Sequence, residues 1–415
     1  MDFSRRLVLF GLAAFSLPGC LGGGVPMSAP RPAPMRPEPN PAFDAWKSQF
    51  RGRALAAGLP ESVVNPALNG AGFLPDVIER DRRQTEFTRT LEDYITVIAV
   101  SDERLAAGRT ALSRHATTLR AVEARYGVEA EVITAVWGLE SRYGTERGDI
   151  PVISATATLA FDGRRGAFFE NQLLAALRIL QRGDTSAENL RGSWAGAMGH
   201  TQFIPTTFEA YAVDFTGNGR RDIWGDDPSD ALASAANYLS RMGWRRGEPW
   251  GVEVRLPEGF NTGLAGRGST RAASAWAGLG LRDMNGRAPA DHGPASLILP
   301  DGPRGPAFLV YRNFGVILRY NNSEFYGIGI GHLSDRLRGG GPIRGEFQPD
   351  RFGLRLAERK EMQERLTRAG FDTQGVDGVI GPNSESAIRA YQQARGQTVT
   401  GQPSQALLQQ LRQGR

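Results

Sequence analysis

The sequence predicts a mainly α fold (α+β overall): a large helical domain with a minor strand-bearing region, followed by a small three-helix module. Three observations carry this. Apolar residues recur at helical spacing over 43–57, 84–126, 129–143 and 164–182. Between 251 and 330 the pattern shifts to short β-rich runs at 252–256, 296–299 and 307–311. After Gly339-Gly340-Gly341-Pro342, apolar spacing resumes in a region too small for more than a compact unit. The chain has 415 residues, more than one ordinary domain needs.

In chain order, the N-terminus comes first. Met1-Asp2-Phe3-Ser4-Arg5-Arg6 gives a basic start, 7–17 is a short apolar run, and Pro18-Gly19-Cys20 ends it. This describes a signal peptide over 1–19. Leu17-Pro18-Gly19-Cys20 resembles a bacterial lipobox. That likeness implies cleavage before Cys20, the chain's single cysteine, and lipid attachment there, which would tether a folded domain to a membrane surface. The other reading is an ordinary cleaved signal with an incidental cysteine. Residues 20–41 carry Gly22-Gly23-Gly24 and prolines at 26, 30, 32, 34, 37, 39 and 41, an extended spacer. Residues 42–338 read as the main domain, 339–351 as a second linker, and 352–412 as the terminal module. One cysteine excludes an intrachain disulfide. The net charge of +5 suits an anionic polymer without selecting nucleic acid, and no zinc spacing or aromatic RNA-binding motif is present.

The most informative residue is Glu140. Apolar residues at 132, 133, 136, 137 and 139 define a buried helical stripe, and the 133-136-137 spacing continues onto 140. A carboxylate on that face is costly to ionise, so burial raises its pKa into the range a general acid needs near neutral pH. The plainer reading is a surface glutamate where Gly144 ends the helix.

Two loops follow. Residues 196–205 (Gly-Ala-Met-Gly-His-Thr-Gln-Phe-Ile-Pro) are mostly small, which lets a polymer backbone approach closely, and Gln202 offers a donor and an acceptor. Thr206-Thr207-Phe208-Glu209 reads as a capping box opening the next helix. Asp214, Thr216 and Asn218 stand at positions 1, 3 and 5 of an EF-hand-like loop, with Gly219 at 6 and the Arg220 carbonyl at 7. Position 12 is Gly225, so Asp226, Asp227 or Asp230 would have to close a longer loop; a polar turn rich in Asn and Gly is the alternative. His115, His200, His292 and His332 are read as surface or core residues.

Together these segments resemble the membrane-bound B family of lytic murein transglycosylases. Trp137-Gly138-Leu139-Glu140-Ser141 with Tyr143-Gly144 resembles the family's catalytic-glutamate motif. Gly196-Ala197-Met198-Gly199 with Gln202-Phe203-Ile204-Pro205 resembles its second signature, Ala212-Val213-Asp214-Phe215 to Trp224 its calcium loop, and Asn313-Phe314 through Tyr326 its late substrate-lining segment. The terminal module resembles a peptidoglycan-binding domain at Asp377-Gly378 and Gly381-Pro382.

The resemblance implies a lysozyme-like catalytic domain that cleaves the bond between N-acetylmuramic acid and N-acetylglucosamine in peptidoglycan. Glu140 would be acid and then base, Ser141 would orient it, and Gln202, Tyr320, Asn321 and Tyr326 would position the sugar. No cofactor is needed for that chemistry. A structural calcium ion is implied at Asp214, Thr216, Asn218, Arg220 and Asp230. The partners implied are glycan strands and, through the lipid, a membrane; a monomer is expected, in the periplasm and anchored to the outer membrane, since Leu21 is not the usual inner-membrane retention residue. A water-using muramidase and a non-catalytic peptidoglycan-binding lipoprotein are the alternatives. With Asp149 and Asp162 near in sequence, a hydrolytic partner for Glu140 stays open.

Overall fold

The computed structural model describes residues 35–82 and 89–414. Cys20, the signal peptide and most of the proline-rich spacer lie outside the described residues, as does 83–88. No helix among the described residues is long and apolar enough to cross a membrane.

The main domain is built around one helix, Ala130–Ser141, against which pack Asp102–Arg114, Ala116–Tyr126, Ser229–Arg241 and Glu324–Leu337. Val132, Ile133, Ala135, Val136 and Trp137 are all buried. With neighbours on every side, the segment has no polar face, as expected of a core helix. It stops because Arg142, Tyr143 and Gly144 all take positive φ, turning the chain back on itself. Tyr143 then folds over the helix and donates its hydroxyl to the Arg104 carbonyl (2.9 Å). Only glycine fits beneath it: a Cβ on Gly138 would lie 2.6 Å from the Tyr143 ring. A helical hairpin, Val152–Asp162 with Gly166–Arg182, packs alongside.

The long helix expected over 84–126 is broken into four pieces: Leu91–Asp93, a π-helical turn Tyr94–Ala99, then Asp102–Arg114 and Ala116–Tyr126. The break has a local cause. Val100 leaves helical geometry, and Ser101 caps the next helix by accepting from Arg104 N (3.2 Å). Apolar periodicity survives such a break, so it does not reveal it. The capping box expected at 206–209 is not formed. The helix Pro205–Tyr211 starts at its proline, and Thr206 instead donates through N and Oγ1 to Gln172 (both 3.1 Å).

The strand-bearing region is a five-stranded antiparallel sheet in the order Thr270–Arg271, Ala295–Ile298, Ala307–Val310, Gly251–Arg255, Arg282–Asp283. It has its own core around Trp276, Leu297 and Leu309. The short edge strands were not legible, being two residues each. Residues 339–351 are not a loose tether. Glu253 accepts from Arg344 N (3.1 Å) and Gly345 N (2.5 Å), Asp301 accepts from Gln348 N (2.6 Å), and Ile343 and Phe347 pack on the main core. The terminal module is three helices, Leu356–Arg368, Pro382–Ala394 and Gln405–Arg412, around Met362, Leu366, Ile388, Tyr391 and Leu408.

Close packing at the glycine faces gives a direct test. A Cβ on Gly331 would lie 2.2 Å from the Trp250 ring, whereas one on Gly315 meets nothing. Gly331→Ala should cost about 1–3 kcal/mol of stability, and Gly315→Ala should be neutral or stabilising by about 0.5–1 kcal/mol. Denaturant unfolding of the two variants checks both.

Candidate active site

Glu140 sits on the last turn of the central helix, half-buried, where the helix leaves the core. Its neighbour across the cleft is Tyr326, 1% exposed, in the helix Glu324–Leu337. The Tyr326 hydroxyl donates to Glu140 Oε1 at 2.6 Å. Burial pushes the Glu140 carboxyl up to about 8, opposed in part by this bond from Tyr326, which favours the ionised form. At neutral pH the group is therefore mostly protonated. With Oε1 accepting from Tyr326, the proton belongs on Oε2, which makes no hydrogen bond among the described residues. The Tyr326 phenol is raised well above its ordinary value, by burial first and then by the charge of Glu140, so it remains a donor throughout.

The loop 196–205 holds this helix end from the other side. The Ser141 hydroxyl, 1% exposed, donates to the His200 carbonyl (2.6 Å) and accepts from Gly144 N (3.1 Å). It has no free face for a ligand and acts on Glu140 only by fixing the helix terminus. The His200 ring accepts from Trp137 Nε1 at Nδ1 (3.0 Å), which leaves Nε2 protonated to donate to the Gly225 carbonyl (2.7 Å). Burial lowers the His200 pKa, keeping the ring neutral. His200 is a core histidine, and it joins the helix of Glu140 to the Asp214 loop.

Gln202 takes a positive φ, rare outside glycine, and its Nε2 donates inward to the carbonyls of Gly199 (2.9 Å) and Arg147 (3.1 Å). Only its Oε1 is left for a sugar. The glycines of this loop serve internal packing: a Cβ on Gly199 would lie 2.1 Å from the Ile223 carbonyl. The expectation that they admit a polymer backbone is therefore replaced by a structural one.

Tyr320 donates to the Thr201 carbonyl (2.5 Å) and packs on Phe203 and Tyr238. Asn321 is 4% exposed. Its Oδ1 and the Thr201 Oγ1 are both buried with no partner, a costly arrangement that a bound ligand or water would relieve. Thr201 was not marked by the sequence, and neither were Tyr94 and Arg104. Tyr94 opens the π-helical turn, lies tilted against Phe325 (5.9 Å between ring centres), and is raised by burial and then by the charge of Glu140. Arg104 donates to the Ile98 carbonyl (2.7 Å) and to the Gly138 carbonyl, pinning that turn to the helix of Glu140. The π-helical turn is itself a signal of function that periodicity does not carry.

Among the described residues no carboxylate hydrogen-bonds Glu140, whose side-chain partner is Tyr326. Asp162 is bound by Arg82 (2.6 Å), and Asp149 is exposed. Neither is placed as a hydrolytic partner.

The Asp214 loop is a separate feature. Asp214 accepts from the main-chain N–H of Gly217 (2.7 Å), Asn218 (3.1 Å) and Gly219 (2.8 Å). Burial pushes its carboxyl up, but these bonds outweigh it and hold the pKa below the ordinary value. Asp230, 2% exposed, accepts from Phe215 N, Thr216 N and Asp222 N (2.9–3.0 Å), so it is the residue that closes the longer loop. Asn218 accepts from Arg220 N (2.9 Å). The two carboxylates, the Thr216 hydroxyl, the Asn218 amide oxygen and the Arg220 carbonyl are hard oxygen donors, which suits calcium in kind. Their charge is low, and among the described residues no three His, Cys, Asp or Glu form a metal cluster.

The fold is lysozyme-like and mostly helical, with a half-buried carboxyl that burial keeps protonated at the end of its central helix. The chain belongs to the transglycosylase SLT domain family, whose model matches residues 42–335, and residues 355–411 match a putative peptidoglycan binding domain. It is 36% identical over 215 residues to membrane-bound lytic murein transglycosylase B of Escherichia coli (strain K12), covering 50% of this chain and 56% of the relative; the chain thus spans about half the length of that curated relative. Among solved structures it is similar to SltB3 from Pseudomonas aeruginosa in complex with NAG-anhNAM-pentapeptide, at 48% identity and a TM-score of 0.73, over 90% of this chain and 100% of that one. It is also similar to the Escherichia coli lytic transglycosylase Slt35 in complex with calcium, at 29% identity and a TM-score of 0.60, over 72% of this chain and 93% of that one.

Two predictions follow from the geometry. Tyr326→Phe removes the bond that favours ionised Glu140, so the carboxyl pKa rises further. The basic limb of the pH–rate profile should move to higher pH, and kcat should fall about 10- to 100-fold, the worth of about 1.5–3 kcal/mol for a hydrogen bond to a charged group. Second, the folded protein tolerates Glu140 in its protonated form, so that contribution to stability is whole at acid pH and is lost as pH rises through about 8. Glu140→Gln should therefore stabilise the protein at pH 9 relative to pH 5 by about 1–3 kcal/mol, the partly open cleft screening the rest. Thermal unfolding across pH checks this; a pH-independent difference would contradict it.

Proposed function

We propose that the protein is a peptidoglycan lytic transglycosylase acting on the β-1,4 bond between N-acetylmuramic acid and N-acetylglucosamine. The observation that supports this best is a carboxyl that burial keeps protonated, held by the Tyr326 hydroxyl, with no second carboxylate hydrogen-bonded to it among the described residues. Two-carboxylate hydrolysis needs a partner about 5–9.5 Å away. A single acid suffices when the substrate supplies the rest.

Glu140 delivers its Oε2 proton to the glycosidic oxygen as the C1–O bond breaks, and the N-acetylglucosamine O4 leaves as a hydroxyl. Positive charge at the muramic C1 is taken up by the oxygen of the sugar's own acetamido group. Glu140, now a carboxylate steadied by the Tyr326 hydroxyl, takes the proton from the C6 hydroxyl. O6 closes on C1 and displaces the acetamido oxygen. The product is a 1,6-anhydromuramic end, no water is consumed, and Glu140 is again protonated. The Gln202 Oε1 supplies a hydrogen-bond acceptor for the sugar hydroxyls and amide. The relative SltB3, solved with NAG-anhNAM-pentapeptide, is consistent with this product.

Mass spectrometry of purified peptidoglycan digested by wild type and by Glu140→Gln tests the reading. Anhydro-ends with wild type only support it. Reducing muramic ends would make the protein a hydrolase, and absence of cleavage with retained binding to the wall would make it a scaffold.

The terminal module is proposed to hold glycan or stem peptide. Cys20 is proposed to carry lipid, placing the protein in the periplasm at the outer membrane; the membrane-bound designation of the curated relative supports this. Cys20→Ser should move the protein from the membrane to the soluble fraction. The Asp214 loop is proposed to hold a weak structural calcium ion through Asp214, Thr216, Asn218, the Arg220 carbonyl and Asp230. A ligand at 100 times its Kd stabilises by about 2.7 kcal/mol. Millimolar calcium should therefore raise Tm by a few degrees, and Asp214→Ala should abolish the rise. An equal Tm with calcium and with chelator would show that the loop closes on its own hydrogen bonds.

A further inference from the structure

The terminal module does not merely trail the main domain. Arg359, 3% exposed as a side chain, spends its guanidinium on four acceptors: the Gly378 carbonyl (2.8 Å), the Leu354 carbonyl (3.2 Å), Asp350 (3.0 Å) and Asp93. Gly378 lies in the Asp377-Gly378 loop of the module, and Asp93 belongs to the main domain. Beside it, Glu92 accepts from Leu356 N (2.9 Å), the first residue of the module's first helix. A main-domain carboxylate thus caps a module helix, and a module arginine neutralises the adjacent main-domain carboxylate.

What these two acids hold is informative. Asp93 immediately precedes the π-helical turn Tyr94–Ala99. That turn packs on the helix that carries Tyr326: a Cβ on Gly329 would lie 3.0 Å from both Tyr94 and Ala99 and 3.4 Å from Leu139, next to Glu140. Its far end is tied to the helix of Glu140 through Arg104, which bridges the Ile98 and Gly138 carbonyls. The connection from the module's loop to the wall beside the acid is continuous: Gly378, Arg359, Asp93, Tyr94, then Gly329, Leu139 and Arg104. π-Helical turns carry weaker geometry than α-helices and are kept in place by their surroundings. This one is fixed from outside by the module.

We propose that the module completes the wall of the catalytic centre. Arg359 and Asp93, with Glu92, are positioning residues that hold the Tyr94 turn against Glu140 and Tyr326. The inference rests on Glu140 being the acid of the proposed reaction. It adds that wall binding and cleavage are mechanically joined, because the loop in the module and the turn at the acid share one guanidinium.

The test uses the full chain with Glu92→Gln and Asp93→Asn combined, near-isosteric changes on the main-domain side that leave Arg359 its three other acceptors, Gly378, Leu354 and Asp350. Two readouts are taken. The pH at which Glu140 titrates is obtained from the pH dependence of the stability difference between each background and its Glu140→Gln partner, which needs no substrate. Turnover is measured on soluble glycan strands, with products identified by mass. A loosened turn lets water reach the acid, so the titration should move down toward the ordinary carboxylate value. kcat should fall about 10- to 100-fold, as expected for misplacement of a catalytic group by about 1 Å, with KM changed less than twofold. A purely structural latch would lower Tm and leave the titration and kcat untouched, overturning the proposal. Should the double variant fail to fold, Arg359→Lys, which keeps the charge but not the fork, is read the same way: a smaller shift in the same direction supports the proposal, and no shift overturns it. If the wild type yields no anhydro-ends, the proposed reaction fails, while the titration still decides the role of the latch.

Discussion

Everything in this molecule turns on the cost of a carboxyl on the apolar side of a buried helix. Glu140 continues the stripe of Ile133, Val136 and Trp137, and the fold tolerates it there because it keeps its proton. A charged group in that position would be too costly to hold without a partner cation. Among the described residues no cation pairs with Glu140; the partner is the neutral hydroxyl of Tyr326, which holds one oxygen and leaves the other to carry the proton. The surrounding architecture serves to keep that geometry. Trp137, Ser141 and His200 lock the helix end, Tyr143 folds over Gly138, and Arg104 ties the helix to the π-helical turn.

The same constraint explains how the described parts divide the work. The elements around Glu140 are helical and largely buried. The Asp214 loop, the sheet and the terminal module lie outside that shell and reach it through polar links, among them His200 to Gly225, Arg267 to Asn322 (2.8 Å) and Glu324 (3.1 Å), and Arg359 to Asp93. Each link spans two parts of the chain far apart in sequence, so the cleft is assembled by tertiary contacts rather than by one motif.

Much of the site was legible because its signal is local. Glu140 stood out from helical spacing alone, and the main helices and longer strands followed from periodicity. The Asp214 loop showed through its EF-hand-like spacing and the Gln202 segment through its run of small residues, whereas the residues from Tyr320 to Tyr326 entered through family likeness alone. The structure refines several of them. Ser141 and the Gln202 amide are spent inside the protein, and Tyr326 contacts the acid itself. Tyr94, Arg104, Thr201 and Arg359 were invisible, because their importance lies in what they meet across the fold. The π-helical turn and the Ser101 cap were invisible for another reason: both preserve the apolar rhythm of a continuous helix while breaking it.

The central claim is the protonation state of Glu140, and it can be observed without turnover. Infrared difference spectra of wild type against Glu140→Gln, taken across pH, isolate this carboxyl's C=O stretch. The account predicts a protonated-carboxyl band at neutral pH that disappears around pH 8. A carboxylate already ionised at pH 6, titrating in the ordinary range of about 4.3, would contradict it.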